Sequence, residues 1–450
     1  MDSSIRNKRI KASDLARRSS DIFCEKYGYS ALDSIAPFER DEIILGLRVG
    51  TGSFSSVYEI QAFQLRPDQS KLYTEEQIKK RDATAKSMMN GSATYVLKRL
   101  KEEVEESDDE DLFLDAAHDI VHEAEMLAAL SHPNIVQLHG VIASRHDAFF
   151  DGASEFFLIL ERLDSTLTET IEGWKKENAY KSSSRLKSLS TNLSSSSLKS
   201  LSGFSSSSSL KSLSYSSCSR ALDKVESLDN RIRVAVSLAG AVEYLHSQGV
   251  IFHDLKPDNV GFKEGNLRLF DFGLARLMPQ RRHAYDDVYE LSGAGTPRYT
   301  APEIFFDRPY NLKADVYSFS VMLWEMMMLK KPFGKCKRRK DFEKVMLGVD
   351  KALVINRKWP QPIQVIIMRS LSRDISERPT MSEVCKALSD SKVVEDYDLE
   401  RNKVSTQKQR SNSLARRASF ASFSTSCTSV PTTADTIQDC LEESEQPITF

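Results

Sequence analysis

Residues 251–260 read Ile-Phe-His-Asp-Leu-Lys-Pro-Asp-Asn-Val, which sets an acid, a lysine and an amide (Asp254, Lys256 and Asn259) in a loop bounded by apolar residues. A second acid follows in Asp271-Phe272-Gly273, directly after the strand-like run Leu-Arg-Leu-Phe. These residue types suit phosphoryl transfer. Asp254 can orient an attacking hydroxyl and accept its proton, and Lys256 can neutralise charge on the group in flight. Asn259 and Asp271 offer the hard oxygen donors that Mg²⁺ prefers.

Two features upstream fit the same chemistry. Gly50-Thr51-Gly52-Ser53-Phe54-Ser55 lies between two strand-like runs, in a turn whose backbone N–H groups can approach phosphates. Taken alone, it reads equally well as an ordinary hairpin turn. Lys98 sits in an apolar strand, Val96-Leu97-Lys98, a setting that a lysine tolerates with an anionic partner or with its head turned outward. Glu123, on the next helical run, can supply that charge; two unrelated surface residues are the plainer alternative.

Order and spacing carry more weight than any one motif. The glycine turn, strand lysine, helix glutamate, His132-Pro133-Asn134-Ile135-Val136, the acid-lysine-asparagine loop and Asp-Phe-Gly follow one another in a sequence that resembles the eukaryotic protein kinase family. The resemblance continues through Gly295-Thr296-Pro297-Arg298-Tyr299-Thr300-Ala301-Pro302-Glu303, Asp315-Val316-Tyr317-Ser318-Phe319, Lys331-Pro332-Phe333 and Glu377-Arg378-Pro379-Thr380.

The resemblance implies an α+β, two-lobed kinase fold, with a small antiparallel β-sheet lobe and a larger helical lobe. It implies ATP and Mg²⁺ as cofactors, with Asn259 and Asp271 as the metal ligands. Lys98 would hold the α- and β-phosphates, Glu123 would position Lys98, and Asp254 would orient the substrate hydroxyl. Val49, Gly50, Gly52 and Ser53 would line the nucleotide site, with Val57 covering the base. Phe157-Leu158-Ile159-Leu160-Glu161-Arg162-Leu163 resembles the hinge: backbone groups near Glu161 and Leu163 would bond adenine, and Leu160 would gate the back pocket. Glu303 and Arg378 would form a buried structural ion pair. Asp315 would brace the catalytic loop. Lys256 and Thr296 are what the serine/threonine branch carries, so the implied substrates are serines and threonines of proteins. Asp315–Phe319, Leu323-Trp324-Glu325 and Trp359-Pro360 look most like the tyrosine-kinase-like group.

Departures from the pattern matter. Ser55 replaces the usual third glycine, and Phe252-His253 stands where histidine-arginine is usual. Loss of that arginine removes the base that clamps a phosphorylated activation loop, so activity is expected to depend little on modification of Tyr285, Tyr289 or Ser292. The altered loop also keeps open a second reading, a pseudokinase or scaffold that binds a partner.

Strand-like runs from Ile43 and the helical run DIVHEAEMLAAL must position the first half of the site, and helix-rich sequence from Asn230 to Leu388 the rest. The expected division is a basic, mobile arm over 1–40, a kinase domain over 41–390 and a disordered, Ser/Thr-rich tail over 391–450. Within the domain, 66–92 reads as a polar insert and 172–228 as a serine-rich one. The latter repeats LKSLS from Leu186, Leu198 and Leu210, as a regulated cluster of phosphorylation sites or as an inert spacer. Serines follow arginines in Arg17-Arg18-Ser19, Arg410-Ser411-Asn412-Ser413 and Arg416-Arg417-Ala418-Ser419, a pattern that an upstream basophilic kinase selects.

A net charge of −2 over 450 residues provides no global field for nucleic acid, and no such partner is expected. Six scattered cysteines without CxxC pairs fit a reducing compartment. The start lacks the apolar core of a signal peptide and no long apolar run follows, so no membrane insertion and a cytosolic or nuclear location are expected.

Overall fold

The structure, a computed structural model, describes residues 3–27, 31–66, 73–107, 109–152, 155–180, 212–278, 285, 288–289, 295–348, 353–390 and 445–447. The chain forms two compact units: Met1–Leu167 with Tyr244–Gln280, and Thr168–Glu243 with Arg281–Phe450. The first two LKSLS copies and the tail serines lie outside the described residues.

The first unit begins with helix α1 (Ser3–Tyr27), followed by strands β1 (Pro37–Phe38), β2 (Ile43–Thr51) and β3 (Ser55–Phe63). Helix α2 (Glu75–Met89), strand β4 (Tyr95–Leu100) and helices α3 (Glu102–Glu105) and α4 (Glu110–Ala129) come next. Strand β5 (Leu138–Ile142), the single turn α5 (Ala148–Asp151) and strand β6 (Phe157–Glu161) complete a six-stranded sheet of order β1-β5-β6-β4-β3-β2. All neighbours are antiparallel except β1, which pairs in parallel with β5 at the edge. Leu97, Val121, Ala124, Val141, Leu158 and Ile159 are fully buried; along β4 and β6 successive residues face opposite sides, so Leu158 shares the face of Lys98 and Ile159 that of Leu97. Asp109 caps α4, its carboxylate accepting the Leu112 N–H at 3.1 Å, and Glu110 and Asp111 sit in the first turn where the helix dipole favours them.

One expectation is corrected here, and the insert at 66–92 carries a helix. Residues 1–40 were expected to be a mobile arm, but α1 lies against α4, with Lys8, Ala12, Ala16, Ser20 and Phe23 buried along one face. That face is made of small side chains and a lysine stem, so it leaves little apolar periodicity to read. The 66–92 insert holds α2, started by a Thr74/Gln77 capping box and tied down by Arg81. Arg81 Nη2 donates to Glu42 Oε1 at 2.6 Å and Nη1 to the Pro37 carbonyl at 2.5 Å, with the Tyr73 ring 4.6 Å from the guanidinium.

A second sheet in this unit holds the loop that the sequence marks for chemistry. Strands β7 (Ser165–Thr166), β9 (Val260–Lys263) and β10 (Asn266–Leu269) pair in the order β10-β9-β7. Residues 167–180 are helical (α6), and helix α7 (Ser212–Ser247) leads to strand β8 (Val250–Ile251), which pairs with β11 (Arg276–Leu277).

The second unit is helical. It contains α8 (Pro302–Phe305), α9 (Lys313–Met328), α10 (Arg339–Met346), α11 (Gln361–Ser370) and α12 (Met381–Ser389). Helix α9 is apolar on every side and its residues are almost all buried, as a central helix must be. It ends on Leu329 in the left-handed region at φ 54°, a cap that glycine usually provides. Strand β12 (Val354–Asn356) pairs with β13 (Glu445–Pro447). The sheet-rich first unit and helical second unit match the expected two-lobed α+β class, although the chain's compact units divide after β11.

Candidate active site

Lys98 is the centre of the site. Strand β4 places it opposite Val57 on β3 and Leu158 on β6, so its stem lies inside the sheet. Its Nζ donates to Glu123 Oε2 at 2.5 Å and to Asp271 Oδ1 at 2.8 Å. Burial alone would lower the pKa of this ammonium, but the Asp271 and Glu123 carboxylates raise it well above its ordinary value. Asp271 is correspondingly held below the usual carboxylate range, chiefly by Lys98. Lys98 and Asp271 are thus held in their charged forms, while burial raises the Glu123 carboxyl, and the buried Lys98–Glu123 contact rules out the plainer reading of two unrelated surface residues.

Asp271 sits at φ 69°, in the left-handed region. Phe272 after it is fully buried and meets the Phe252 ring edge-on at 5.1 Å. The aromatic side chain at the usual histidine position thus has a packing partner. His253, at the usual arginine position, is buried, and its Nδ1 lies 2.9 Å from the Leu274 carbonyl oxygen, where it donates. The Phe-His substitution is absorbed by contacts that hold the Asp-Phe-Gly segment.

In the loop itself, Lys256 Nζ lies 2.5 Å from Asp254 Oδ2, and Asn259 Nδ2 donates to Asp254 Oδ2 and to its carbonyl, both at 3.0 Å. Asn259 therefore spends its amide N–H on Asp254 and keeps its amide oxygen for another partner. Asp271 Oδ1 is on Lys98, while Oδ2 meets no donor among the described residues. Two hard oxygens are left for Mg²⁺, so the donor set fits that ion.

Gly52, Ser53, Lys98, Glu123, Asp254, Lys256 and Asp271 line one cavity. Phe54, Ser55 and Asp119 line it too, and the sequence motifs did not single out Phe54 or Asp119 as site residues. Asp119 stands four residues before Glu123, hence on the same face of α4, and that spacing is the signal that could have found it. Gly273 faces Asp119: a Cβ there would lie 3.4 Å from the Asp119 Cβ, an ordinary contact. At the glycine turn, the Gly52 N–H donates to the Ser55 carbonyl at 2.8 Å, and Lys101 Nζ holds the Ser53 carbonyl at 3.0 Å. No acceptor among the described residues faces the N–H groups of Ser53 and Phe54, which are free to meet an anion.

The remaining predicted positions lie apart from that cavity. Val49 is exposed, while Gly50 pairs with Val57 across the β2–β3 hairpin. Leu160 is buried between Val96 and Leu138. The Glu161 side chain is structural: it accepts from the Gln137 N–H at 3.0 Å and from Arg268 Nε at 2.8 Å, with Lys263 Nζ at 3.4 Å. The Glu161 N–H goes to the Gln137 carbonyl and the Arg162 N–H to Thr94, whereas the Leu163 N–H has no acceptor among the described residues. An open donor at Leu163 is what a hinge needs.

In the second unit, Arg378 grips Glu303 with two parallel bonds, Nη1 to Oε1 at 2.6 Å and Nη2 to Oε2 at 2.8 Å, both residues being buried. The implied structural pair is present. Of the activation-loop hydroxyls, Tyr289 pairs through its backbone with Tyr310, the Tyr285 carbonyl accepts from Asn311 Nδ2, and Ser292 lies outside the described residues.

Residues 43–388 match the family model described as "Protein tyrosine and serine/threonine kinase". The curated relatives include cAMP-dependent protein kinase type 3 of Saccharomyces cerevisiae, 34% identical over 145 residues, covering 32% of this chain and 34% of that protein. Serine/threonine/tyrosine-protein kinase HT1 of Arabidopsis thaliana is 33% identical over 172 residues, 36% of this chain and 40% of that one. Serine/threonine-protein kinase CTR1, also of Arabidopsis thaliana, is 32% identical over 183 residues, 35% of this chain and 22% of that one. The aligned segments thus span well under half of each of these relatives. The family match runs from β2 through α12 and takes in the lysine, the two acids and the buried arginine pair alike: this chain belongs to the protein tyrosine and serine/threonine kinase family.

Proposed function

We propose that this protein transfers the γ-phosphoryl group of ATP to serine and threonine hydroxyls of protein substrates. The observation that carries the reading is Lys98 bound at once to Glu123 and Asp271, in a cavity that Asp254 and Lys256 also line.

Each residue then has a defined task. Lys98 holds the non-transferred phosphates, and Glu123 fixes its position. The Ser53 and Phe54 N–H groups meet phosphate oxygens, and the Leu163 N–H meets adenine. Asp254 orients the substrate hydroxyl and takes its proton. Lys256, now paired with Asp254, is close enough to neutralise charge on the phosphoryl group as it passes. Asn259 and Asp271 would hold Mg²⁺, which when bound supplies charge neutralisation on the phosphates. Lys256 and Thr296 support serine/threonine preference, and the Asp315–Phe319 segment supports a place in the tyrosine-kinase-like group. The cysteine usage supports work in a reducing compartment, the cytoplasm or nucleus. His253 donates to Leu274 and offers no guanidinium fork, which supports activity without activation-loop phosphorylation.

The test is transfer of labelled phosphate from ATP, with magnesium, to a generic basic protein, comparing the wild type with Asp254→Asn. Transfer to serine or threonine that disappears in the variant supports the reading. ATP binding without transfer in either protein moves the assignment to a pseudokinase. Equal transfer before and after phosphatase treatment would support independence from activation-loop phosphorylation.

A further inference from the structure

Helix α4 carries Glu123 on one side, and its other side is covered by α1. The Phe23 ring meets His122 edge-on at 5.5 Å, and Ser20 Oγ donates to Glu125 Oε1. Glu125 is fully buried, Ser20 is its one hydrogen-bond partner among the described residues, and its second oxygen has none. Burial raises the Glu125 carboxyl pKa, so this is a place that tolerates a hydroxyl and not an added anion.

Besides this pair, α1 packs along much of α4, and Lys8 Nζ donates to the Ser107 carbonyl and Lys26 Nζ to the Gln248 carbonyl, both at 2.7 Å. Lys11 meets Glu110 at 2.5 Å and Arg17 meets Asp147 at 2.6 Å, but these ends are 39–61% exposed, and such surface pairs contribute little. The buried face is otherwise mostly alanine, serine and a lysine stem around the single Phe23. Arg17-Arg18-Ser19-Ser20 places two arginines at the third and second positions before Ser20, the arrangement that acidic pockets of basophilic kinases read.

We propose that α1 is a releasable brace on α4 and that Ser20 is a phosphorylation site that releases it. Docked Ser20 is only 6% exposed, so modification occurs when α1 lifts in a local opening. A basophilic kinase then transfers the γ-phosphoryl group of its ATP: the Ser20 Oγ–P bond forms, the bond from Pγ to the ADP oxygen breaks, and the hydroxyl proton passes to that kinase's base. The phosphate cannot return to its place beside Glu125, because like charge and lost hydration both oppose it. Helix α4 loses its backing, and the Lys98–Glu123 contact loosens. The consequence for transfer rests on the kinase reading above; the release itself does not.

The experiment treats the full chain carrying Asp254→Asn, which cannot modify itself, with ATP and a purified kinase selecting Arg-Arg-x-Ser, and then maps phosphate by mass spectrometry. Amide hydrogen exchange over residues 3–27 and 110–129 is read before and after. The expected result is phosphate on Ser20 with protection of α1 lost and that of α4 reduced. Wild-type chain so treated would lose about tenfold in transfer rate, while Ser20→Ala under the same treatment changes neither protection nor rate from its own untreated values. Phosphate on Ser20 with α1 still protected overturns the proposal, as does failure of Ser20 to accept phosphate in the chain when a peptide of residues 12–27 accepts it. If the wild type shows no transfer at all, the kinase reading fails, and the exchange data still decide the brace.

Discussion

Lys98 in the first unit and Arg378 in the second are both cations buried against carboxylates, yet they are built in opposite ways. Lys98 meets two acids from different elements, one contact each. Arg378 meets one acid with two bonds, gives Nε to the Ser372 carbonyl at 2.8 Å, and lies with its guanidinium 5.1 Å from the Tyr317 ring. An ammonium is a point charge whose donors rotate, so Lys98 can exchange a carboxylate for a phosphate without rebuilding its surroundings. A guanidinium is a planar fork that fits one arrangement. The first design suits a group that must change partners, and the second suits a group that must not.

The comparison breaks most sharply on Arg378→Ala. It leaves the Glu303 carboxylate buried and unpaired, so a loss of about 3–5 kcal/mol in unfolding free energy is expected. Chemical denaturation measures it, and the transfer rate per folded molecule should stay within about twofold, in keeping with a residue that performs no chemistry. A large fall in turnover of the folded fraction would merge the two designs into one.

Lys98→Arg probes the other half. The charge is kept, but the fork is too wide to replace a rotating ammonium between Glu123 and Asp271. Transfer is expected to fall about 10²–10³-fold, in the range seen when one aimed donor is lost. Stability should change by about 1 kcal/mol or less, since both acids keep a cation. A variant that keeps a third of the wild-type rate would show that any cation suffices there.

Arg81→Ala tests a buried arginine of the second kind placed in the first unit. Glu42 would keep two backbone donors, the Glu39 N–H at 2.9 Å and the Arg66 N–H at 3.0 Å. The expected cost is therefore smaller than at Arg378, about 1.5–3 kcal/mol for hydrogen bonds to a charged group. Hydrogen exchange should show α2 losing protection first. An unchanged melting curve would mean that α2 is only an ornament on the sheet.

The chemistry was legible in the sequence because a phosphoryl-transfer site demands particular residue types: nothing substitutes for the acid at 254 or 271, so their order survives as a readable pattern. Phe54, which also lines the cavity, escaped because the part proposed for it is a backbone N–H, which any residue could supply. The two helices that brace the first unit were illegible for a different reason. Helix α2 is anchored by one buried arginine in a polar stretch, and α1 by alanines, serines and Phe23, so neither shows the apolar stripe that marks a packed helix. Hydrophobic periodicity reports burial of large apolar side chains and is silent on burial by ion pair or by close approach.

The narrowest effect, confined to pH below 6.5, concerns His122, which lies beneath α1 and meets Phe23 on one side and the Ala275 carbonyl on the other. Burial pulls its pKa down to about 3, with help from Arg276 and His118, and its Nε2 donates to the Ala275 carbonyl at 2.7 Å. The folded protein thus holds this ring neutral where an unfolded chain would protonate it near pH 6.5. Above that pH the histidine contributes no slope. As pH falls below it, the unfolded state takes up a proton that the folded state refuses, and stability drops by about 1.4 kcal/mol per pH unit. The buried Glu125 carboxyl, shifted upward, works in the other direction, so the total curve does not isolate the histidine. The difference between wild type and His122→Gln does, because glutamine can still donate to Ala275 but does not titrate. Denaturation between pH 6.5 and 4.5 should show the variant losing less stability, by close to one proton's slope. Parallel curves would mean that the ring is protonated in the folded state, so that α4 carries a cation beneath α1 as well as the acid that Ser20 covers.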